Sequence, residues 1–586
     1  MRPAACCGWD RVRAGKDDCL KALLTTSRIA SKPYIITGLI CLITLLCYLP
    51  SLRNGFVSTW DDGAYVISNS LLRDVSPGGI IRIFTDDHRQ SYALYHPLTT
   101  LTLALNYRID QSPLPFHITN LILHLLNTVL VFVFVYLISD KSVFVAGFVS
   151  LWFGIHPVHV ESVAWISERK DVLYSLFYLL ALITYWQYIG KKLCMKWYII
   201  TVVLFLLSLL SKPIAVNLPL VLLCLDYLAG RKFSARIITE KVPFVVISIF
   251  IGLVAMKSQS VAITSSFPFV NKVLHATYGF PVYIAKSVFP INLSAFYPYP
   301  YPLVNYTWVG SSIPSILYVT LIASIIIVAG IVRLYFVKSD ITKHLLFGIG
   351  FYVVTILLVL QFIPVGMAII TDHYLYIPYI GLFYAMAVLI NKLLIDKNVL
   401  GKVFLASAAA LTIWFCVLTV QQIKVWQNDD TLWTNTINIY PHDSRVRYCY
   451  VNRALYYYNV GKYDAAINDL SEIMGFNPND DSTLVSMASI YGQNKQDIDK
   501  SILYFKKAID INENNIDALR GLAKAYMSQG NYGEALKYTE KAIGVLPTDA
   551  NVYLIAAEIH HRMGNSLQEN LCKRKASELG GMIKVN

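Results

Sequence analysis

Long apolar runs constrain the fold of this chain more than any other feature of its sequence. A helix needs about 20 apolar residues to cross the roughly 30 Å hydrocarbon core of a bilayer. With 55% hydrophobic residues, 15% charged residues and a mean hydropathy of +0.50, the 586-residue chain is far more apolar than an ordinary soluble domain. We therefore expect an all-α, polytopic membrane bundle over residues 34–421, with about eleven spans: Tyr34–Leu52, Ile118–Ile138, Val143–Ile155, Val172–Ile189, Trp197–Leu210, Ile214–Leu228, Val242–Met256, Pro314–Phe336, Leu345–Ile363, Tyr374–Ile390 and Val403–Val420.

Basic residues between the runs predict the orientation, because Lys and Arg in short loops stay in the cytoplasm. The basic N-terminal arm, residues 1–33, is expected to be cytoplasmic, with the first run as a retained anchor rather than a cleaved signal. Later basic loops fall on the same side if the apolar stretch Val273–Phe289 lies in or dips into the outer interface without crossing. An odd number of spans then places the C-terminus outside. The net charge of +13 follows this pattern without a nucleic-acid motif, so nucleic acid is not an expected partner.

A different kind of sequence begins after Gln421, where apolar runs stop and charge rises. Residues 422–446 are expected to form a linker and first helix, and residues 447–586 repeat with a period of about 34, the length of one helix-turn-helix unit. Three full units and a partial fourth predict a tetratricopeptide-repeat α-solenoid on the non-cytoplasmic face, with a groove for a peptide. Alternatively, the array only rigidifies or dimerises the protein. The period is marked by Ala454, Ala488, Ala523 and Ala557, and by the turn residues Gly461, Gln496, Gly530 and Gly564.

The first outer loop, residues 53–115, is the leading candidate for a catalytic segment. It is long for a connection, and loops of this length are usually functional or disordered. Its Asp61 and Asp62 lie a few residues beyond a span, where carboxylates near lipid are costly unless they bind or act on something. Paired acids raise each other's pKa, which suits one of them to take a proton from a hydroxyl. The alternative is an Asp pair that caps a helix within the loop.

Titratable residues in the other outer loops are expected to converge on the same membrane face. Arg169 and Lys170 suit a phosphate that reaches the bilayer on a lipid tail, and Lys212 occupies a tight outer turn. His156 and His159 are expected to form hydrogen bonds rather than bind a metal, because the sequence offers them no clear third ligand. A divalent metal is left open, since oxygen and imidazole ligands could also come from the first outer loop: Asp61, Asp62, Asp86, Asp87 and His88.

Five short motifs together resemble one known family. They are Trp60-Asp61-Asp62, the segment YHPLT that contains His96 and Pro97, HPVHVESV from His156, Arg169 with Asp171, and DHYLYIP from Asp372. Their order, followed by terminal repeats, resembles the transmembrane and tetratricopeptide-repeat-containing O-mannosyltransferases, which belong to the C-type (GT-C) membrane glycosyltransferases. The likeness runs from about residue 34 to the C-terminus. His96 and His373 stand where members of the family often have Arg.

The resemblance implies a GT-C-like transmembrane domain at 34–421 that transfers a hexose, mannose in the family, with inversion. The donor would be a polyisoprenyl-phosphate sugar, and the acceptor a Ser or Thr hydroxyl of a protein held near the repeats. The resemblance names no certain cofactor. It assigns Asp61 or Asp62 as the base, Arg169, Lys170, Lys212 and His373 to the departing phosphate, and His96, His156, His159, Glu161, Asp171 and Tyr374 as supporting residues.

Two other functions stay open at this point. One is a non-catalytic, membrane-anchored repeat scaffold, which leaves the clustered outer acids and bases unexplained. The other is a GT-C enzyme that glycosylates an envelope lipid or polysaccharide. The absence of a retrieval signal favours the plasma (inner) membrane of a prokaryote over the endoplasmic reticulum, although Asn292 and Asn305 would form usable sequons in a eukaryote.

Overall fold

The computed structural model describes residues 32–85, 95–258, 267–301, 303–304, 307–308, 314–337, 339–362 and 368–580. Apolar helices predominate through residue 425, and shorter amphipathic helices follow. In chain order the helices are α1 Pro33–Tyr48, α2 Pro77–Thr85, α3 Pro97–Ile109, α4 Pro113–Ile138, α5 Val143–Ile155, α6 Val160–Ala164, α7 Arg169–Gly190, α8 Met195–Ser211, α9 Leu218–Leu228, α10 Ala235–Ser258, α11 Phe269–Lys286, α12 Ser315–Tyr335, α13 Asp340–Ile356, α14 Pro378–Ile395 and α15 Val399–Val425.

The remaining helices belong to the C-terminal part. They are α16 Asp429–Ile439, α17 Arg447–Asn459, α18 Tyr463–Phe476, α19 Asp481–Ser489, α20 Ile498–Ile511, α21 Ile516–Ser528, α22 Tyr532–Val545, α23 Ala550–Arg562 and α24 Ser566–Glu578. Two short strands, β1 Leu303–Val304 and β2 Thr307–Trp308, pair antiparallel, with Leu303 opposite Trp308. In the described ranges the protein is therefore almost entirely helical, as predicted.

Each predicted span overlaps an apolar helix, although the bounds differ by several residues at, for example, the end of α13 and the start of α14. Within the described residues, eight helices are long and apolar enough to cross a membrane, and the bent pair Val143–Ile155 and Pro157–Ala164 makes a ninth. Two shorter apolar helices, Met195–Ser211 and Pro213–Leu228, occupy the remaining two positions. The stretch Val273–Phe289 lies mostly in α11, which is not among the candidate spans, and its interfacial location stays a prediction. The protein is thus a multi-pass membrane protein.

Local sequence explains where these helices begin. Proline occupies the first turn of α1, α3, α4 and α14, where its missing N–H costs no hydrogen bond. Ser142, Ser339 and Asn398 precede α5, α13 and α15, and each side chain accepts a hydrogen bond from a backbone N–H of the first turn. These signals set the short turns that bring the helix ends together.

Two glycines bring α13 and α14 into close contact, and this contact supports one prediction. A Cβ at Gly348 would lie 2.7 Å from the carbonyl oxygen of Gly381, where backbone must shift. We expect Gly348→Ala to cost about 1–3 kcal/mol by overpacking. Gly330→Ala on α12, whose Cβ would meet nothing within 4 Å, should be neutral or slightly stabilising. Thermal unfolding in detergent measures both variants, and equal midpoints would contradict this packing.

The C-terminal part forms four antiparallel helix pairs: α17 with α18, α19 with α20, α21 with α22, and α23 with α24. The fourth pair has both helices, so the prediction of a partial fourth unit was wrong. Ala454, Ala488, Ala523 and Ala557 are all buried, as their place between paired helices requires. The turn residues Gly461, Gln496, Gly530 and Gly564 all take positive φ, which favours glycine and is also adopted here by Gln496.

The repeat array and the first outer loop lie at the same end of the bundle. Asn435 on α16 donates a hydrogen bond to the carbonyl of Leu293 at 2.9 Å, and the hydroxyls of Thr436 and Ser294 are also 2.9 Å apart. The side chain of Asn54, in the first outer loop, donates to the carbonyl of Ile423 at the end of the last span. The loops that carry the predicted site residues and the repeats therefore share one side of the helix bundle.

Candidate functional site

A cavity of about 690 Å³ lies where these outer loops meet the repeat array. One wall is polar and one is apolar, and aromatic rings from three separate segments, Trp60, Phe296 and Tyr448, line part of it. Tyr448 belongs to α17, so the first repeat helix contributes directly to the lining. The polar wall contains Asp61, His96, Glu161, Glu168, Lys170, Lys212, Thr371, His373 and Tyr374, and the apolar wall contains Ile214, Val216, Ile249, Leu253, Met256, Leu358 and Val359.

Two lysines and three carboxylates form a continuous ion network, of which all but Asp171 line the cavity. Lys170 Nζ lies 3.4 Å from Asp61 Oδ2 and 2.9 Å from Glu168 Oε1. Lys212 Nζ lies 3.1 Å from Glu168 Oε2 and 2.5 Å from Asp171 Oδ1. Buried charges are stable only when paired in this way. Glu168 contacts both lysines. This role of Glu168 was not predicted from the sequence.

Asp61 and Asp62 have different environments. The side chain of Asp61 is 34% exposed and lines the cavity. Burial raises the pKa of Asp61, and the neighbouring charge of Lys170 opposes this rise. Asp61 is therefore placed to exchange a proton with a molecule in the cavity, with a pKa closer to neutrality than that of an ordinary aspartate.

Asp62 points away from the cavity and is nearly inaccessible, with 1% exposure. Its Oδ2 accepts from the backbone N–H of Val57 at 2.9 Å, and its Oδ1 accepts from the backbone N–H and the hydroxyl of Ser167. Burial raises the pKa of Asp62 to about 7, although these hydrogen bonds favour the ionised form. Asp62 thus fastens the outer loop to the start of the span that carries Lys170.

His373 and Glu161 form a second polar pair in the cavity. His373 Nδ1 lies 2.6 Å from Glu161 Oε1. Burial lowers the pKa of His373 to about 3, so the imidazole is neutral near pH 7. The neutral His373 has a single N–H and does not bring the positive charge that an arginine would supply to a phosphate. His96 and Tyr374 also line the cavity, and the Tyr374 ring lies 5.8 Å from Lys212 Nζ.

Sequence reasoning missed a third pair behind this wall. Lys286 Nζ lies 2.6 Å from Asp372 Oδ1 and 3.7 Å from the ring centre of Tyr297, whose hydroxyl donates to Asp372 Oδ2 at 2.6 Å. A lysine within the apolar stretch 273–289 was the available signal, because such residues mark buried polar partners. This pair anchors the segment that carries His373.

Arg169 is not brought to the cavity, which corrects its predicted contact with the donor phosphate. It is fully buried on the opposite side of its helix. Its guanidinium donates to the side-chain oxygen of Asn120 and, at 2.8 Å, to the carbonyl of Phe116. Arg169 therefore joins α7 to α4.

The two histidines of the HPVHVESV motif are also buried among helices and do not line the cavity. His159 Nδ1 donates to the carbonyl of Phe153 at 2.8 Å. His156 Nε2 lies 3.3 Å from the carbonyl of Ser287, and its Nδ1 accepts from the N–H of Val158. Both histidines therefore hydrogen-bond to backbone groups, and the expectation that they bind no metal stays a prediction.

Within the described ranges, one group of side chains has the spacing of metal ligands. Oxygen and nitrogen atoms of Glu168, Asp171 and His373 lie within 4.8 Å of one another. Lys212 already pairs with both carboxylates, so its ammonium supplies the positive charge that a cation would bring. Of the other residues considered as ligands, Asp86, Asp87 and His88 lie outside the described residues.

Known proteins similar to this chain fall into two groups. A tetratricopeptide-repeat family model matches residues 495–559. Among solved structures, the protein in a crystal structure of MamA is 18% identical in sequence, over 25% of this chain and 85% of that chain, with a TM-score of 0.24. The family match agrees with the helix pairs described above.

The curated relatives are protein O-mannosyltransferases of animals. Protein O-mannosyl-transferase F38B6.6 of Caenorhabditis elegans is 24% identical over 70% of this chain and 59% of its own length. Human protein O-mannosyl-transferases TMTC1 and TMTC3 are 40% and 31% identical over 24% and 30% of this chain, and over 16% and 19% of their own lengths. The chain therefore spans less than two thirds of the length of each of these relatives. The resemblance that the sequence motifs predict, to the transmembrane and tetratricopeptide-repeat-containing protein O-mannosyltransferases, is confirmed.

Proposed function

We propose that this chain is an inverting membrane glycosyltransferase that moves mannose from a polyisoprenyl-phosphate donor to a Ser or Thr hydroxyl of a protein. The observation that carries the proposal is a single cavity in which Asp61, Lys170 and Lys212 face an apolar wall. A carboxylate, two ammonium groups and an apolar surface are the groups that a hydroxyl acceptor, a phosphate and a lipid tail require. The names of the relatives support the same reaction class.

Asp61 acts as the general base in the proposed reaction. The acceptor oxygen attacks the anomeric carbon from the face opposite the phosphate, so a new C–O bond forms and the configuration inverts. The acceptor proton passes to Asp61, and the electron pair of the breaking C–O bond leaves on the phosphate oxygen. A base in contact with the attacking hydroxyl contributes about 10²–10⁴-fold to such a step.

Lys170 and Lys212 stabilise the departing phosphate. Each ammonium has three N–H groups, and two of them are directed to carboxylates. The third can be donated to a phosphate oxygen as negative charge develops there. His373 adds a neutral hydrogen bond in the tautomer that carries its proton on Nε2, with a protonated Glu161 donating to Nδ1. The carboxylates of Glu168 and Asp171 keep both lysines protonated and correctly placed, so no metal ion is required in this scheme.

The apolar wall suits the lipid of the donor. It is formed by α10, through Ile249, Leu253 and Met256, and by the turns at 213–217 and 357–359. Gly252 also lines it, and a Cβ there would meet nothing within 4 Å, so the surface at this point is open. An isoprenoid chain that lies against this wall would carry its phosphate to the lysines at the polar end.

The protein acceptor is proposed to approach from the repeat side. Tyr448 on the first repeat helix and Phe296 in an outer loop lie 5.9 Å apart and line the cavity together with Trp60. A Ser or Thr side chain on an extended segment can reach Asp61 past these rings while the remainder of the segment contacts the array. This arrangement gives the repeats a role in presenting the acceptor.

The end of the bundle that carries the cavity is proposed to face away from the cytoplasm. Support comes from the basic residues Lys191, Lys192, Arg231 and Lys343 at the opposite helix ends. The prokaryotic plasma membrane stays a prediction, and the animal origin of the relatives gives it no support. Accessibility of tags at Asn586 and within residues 53–115, compared in sealed and opened vesicles, tests the orientation.

The proposed reaction is tested with the full chain purified in detergent. The assay supplies polyisoprenyl-phosphate [³H]mannose, Ser/Thr peptides and, in separate reactions, envelope lipids or polysaccharide. Label on Ser or Thr supports the proposal. Label that appears on lipid or polysaccharide alone would assign a different acceptor, and no transfer from any of several lipid-linked sugars would favour the scaffold.

A further inference from the structure

We propose that Asp429, the first residue of α16, is a positioning residue for Asp61. It holds the loop segment that precedes Asp61 against the end of the last span, so the C-terminal part of the chain sets the position of the base in the cavity. This inference rests on the proposed function and adds to it a residue far from Asp61 in sequence.

Asp429 is nearly inaccessible, with 1% exposure, and both its oxygens accept hydrogen bonds from the outer loop. Oδ2 accepts from the N–H and the hydroxyl of Ser58, each at 2.9 Å. Oδ1 accepts from the N–H of Thr59 at 2.8 Å and from the hydroxyl of Thr59. Four donors converge on one carboxylate, which an uncharged side chain of the same size cannot satisfy.

Neighbouring contacts extend this attachment along the loop. Asn54 Nδ2 donates to the carbonyls of Ile423 and Trp426, each at 3.1 Å, and the N–H of Gly55 donates to the carbonyl of Gln427 at 2.8 Å. Hydrogen bonds thus join residues 54–59 to residues 423–429. The attachment ends two residues before Asp61.

Aromatic packing connects the attachment to the cavity. The Trp60 ring stacks on Trp165 at 4.3 Å and lies 5.2 Å from Trp433, one turn along α16 from Asp429. Trp433 Nε1 also donates to the hydroxyl of Thr59 at 3.0 Å. Trp60 is therefore held between Trp165, which directly precedes the span that carries Lys170, and the helix that carries Asp429. A shift of α16 moves the residue directly before Asp61.

Asp61 is consequently held from two sides. Asp62 binds Ser167 near the start of α7, and Asp429 binds Ser58 and Thr59. The 3.4 Å contact of Asp61 with Lys170 is long enough to be lost after a small displacement of the loop. Loss of the Asp429 hydrogen bonds releases one of the two attachments while the lysines, on other elements, keep their places.

The test compares Asp429→Asn with Asp430→Asn in the full chain. Asp430 is adjacent, but its Oδ1 accepts from the hydroxyl of Tyr457 on the first repeat helix and from that of Thr434 on α16 itself. We expect Asp429→Asn to lower kcat by about 10- to 100-fold, because a displacement near 1 Å costs about this much. The donor KM should change by less than about twofold, since ground-state contacts with the lysines remain. Asp430→Asn should match the wild type.

The pH profile adds a readout that a purely structural role would not change. The charged groups that face Asp61 are Lys170 and Lys212, which lower its pKa, and Glu168, which raises it. When the loop moves away from Lys170, the acid limb of kcat/KM is expected to shift to higher pH. Thr59→Val should reproduce this shift in part, and Thr59→Ser, which keeps the hydroxyl, should restore the wild-type profile.

The results separate this inference from the proposed function. Wild-type kcat and an unshifted acid limb in Asp429→Asn would overturn the positioning role, and so would a lower melting temperature with unchanged kcat and KM. Either result leaves the proposed transfer reaction in place. A wild-type protein that transfers no sugar would overturn the proposed function, and the positioning role with it.

Discussion

Asp61→Asn is expected to lower kcat for sugar transfer by about 10²–10⁴-fold, the usual contribution of a general base. The variant should fold normally, because Asp61 is one-third exposed and its single ion pair, with Lys170, is long. Asparagine has nearly the same shape but cannot accept the acceptor proton. Transfer is measured with purified protein, and the melting temperature is measured on the same samples.

Two further variants show whether the loss of rate is specific to Asp61. Asp62→Asn should lower the melting temperature as well as the rate, since an amide nitrogen would face the N–H of Val57 or Ser167. Asp74→Asn, in an exposed ion pair with Arg82 on the same loop, should be neutral in both assays. Full activity of Asp61→Asn would assign the base elsewhere.

The pH dependence of the wild type follows from the same residue. A base works only when ionised, and burial raises the pKa of Asp61 above its ordinary value of 3.8. Activity should therefore fall, as pH is lowered, at a higher pH than an exposed aspartate would give. In Asp61→Asn this acid limb should be absent from any residual activity.

Much of the architecture could be predicted because it depends on local periodicity. The apolar runs predict the spans, and the recurrence of Ala454, Ala488 and Ala523 predicts the paired helices. The fourth pair, α23 with α24, was underestimated. Its second helix, α24, is polar. Comparing its residue types with those of the earlier repeats does not show that such a polar segment packs as a helix.

The site could be predicted only in part, because neighbouring residues in sequence take opposite sides in space. Lys170 faces the cavity while Arg169, about 100° around the same helix, faces α4. Both of these faces of α7 are covered by protein, so the periodicity of hydrophobic residues does not show which face lines the cavity. Asp61 and Asp62 differ in the same way, and the partner that distinguishes them, Ser167, lies 105 residues away.

Lys212→Met is expected to have a large effect on both stability and chemistry. Lys212 lies between Glu168 and Asp171, so its removal leaves the buried Asp171 carboxylate without its cation and Glu168 with Lys170 alone. Breaking a buried ion pair by removal of one partner costs about 3–5 kcal/mol. Loss of one charge at the leaving phosphate should lower kcat by about 10²–10³-fold.

A second substitution separates these two effects. In Lys212→Met with Asp171→Asn, one unpaired carboxylate is also removed, so most of the lost stability should return. The rate should stay low, because no cation has been restored. Recovery of the rate together with stability would show that Lys212 acts on the fold alone. Lys241→Met offers a matched control, since Lys241 is similarly buried against Asp226 outside the cavity, and it should lose stability while the donor KM of the folded fraction stays at the wild-type value.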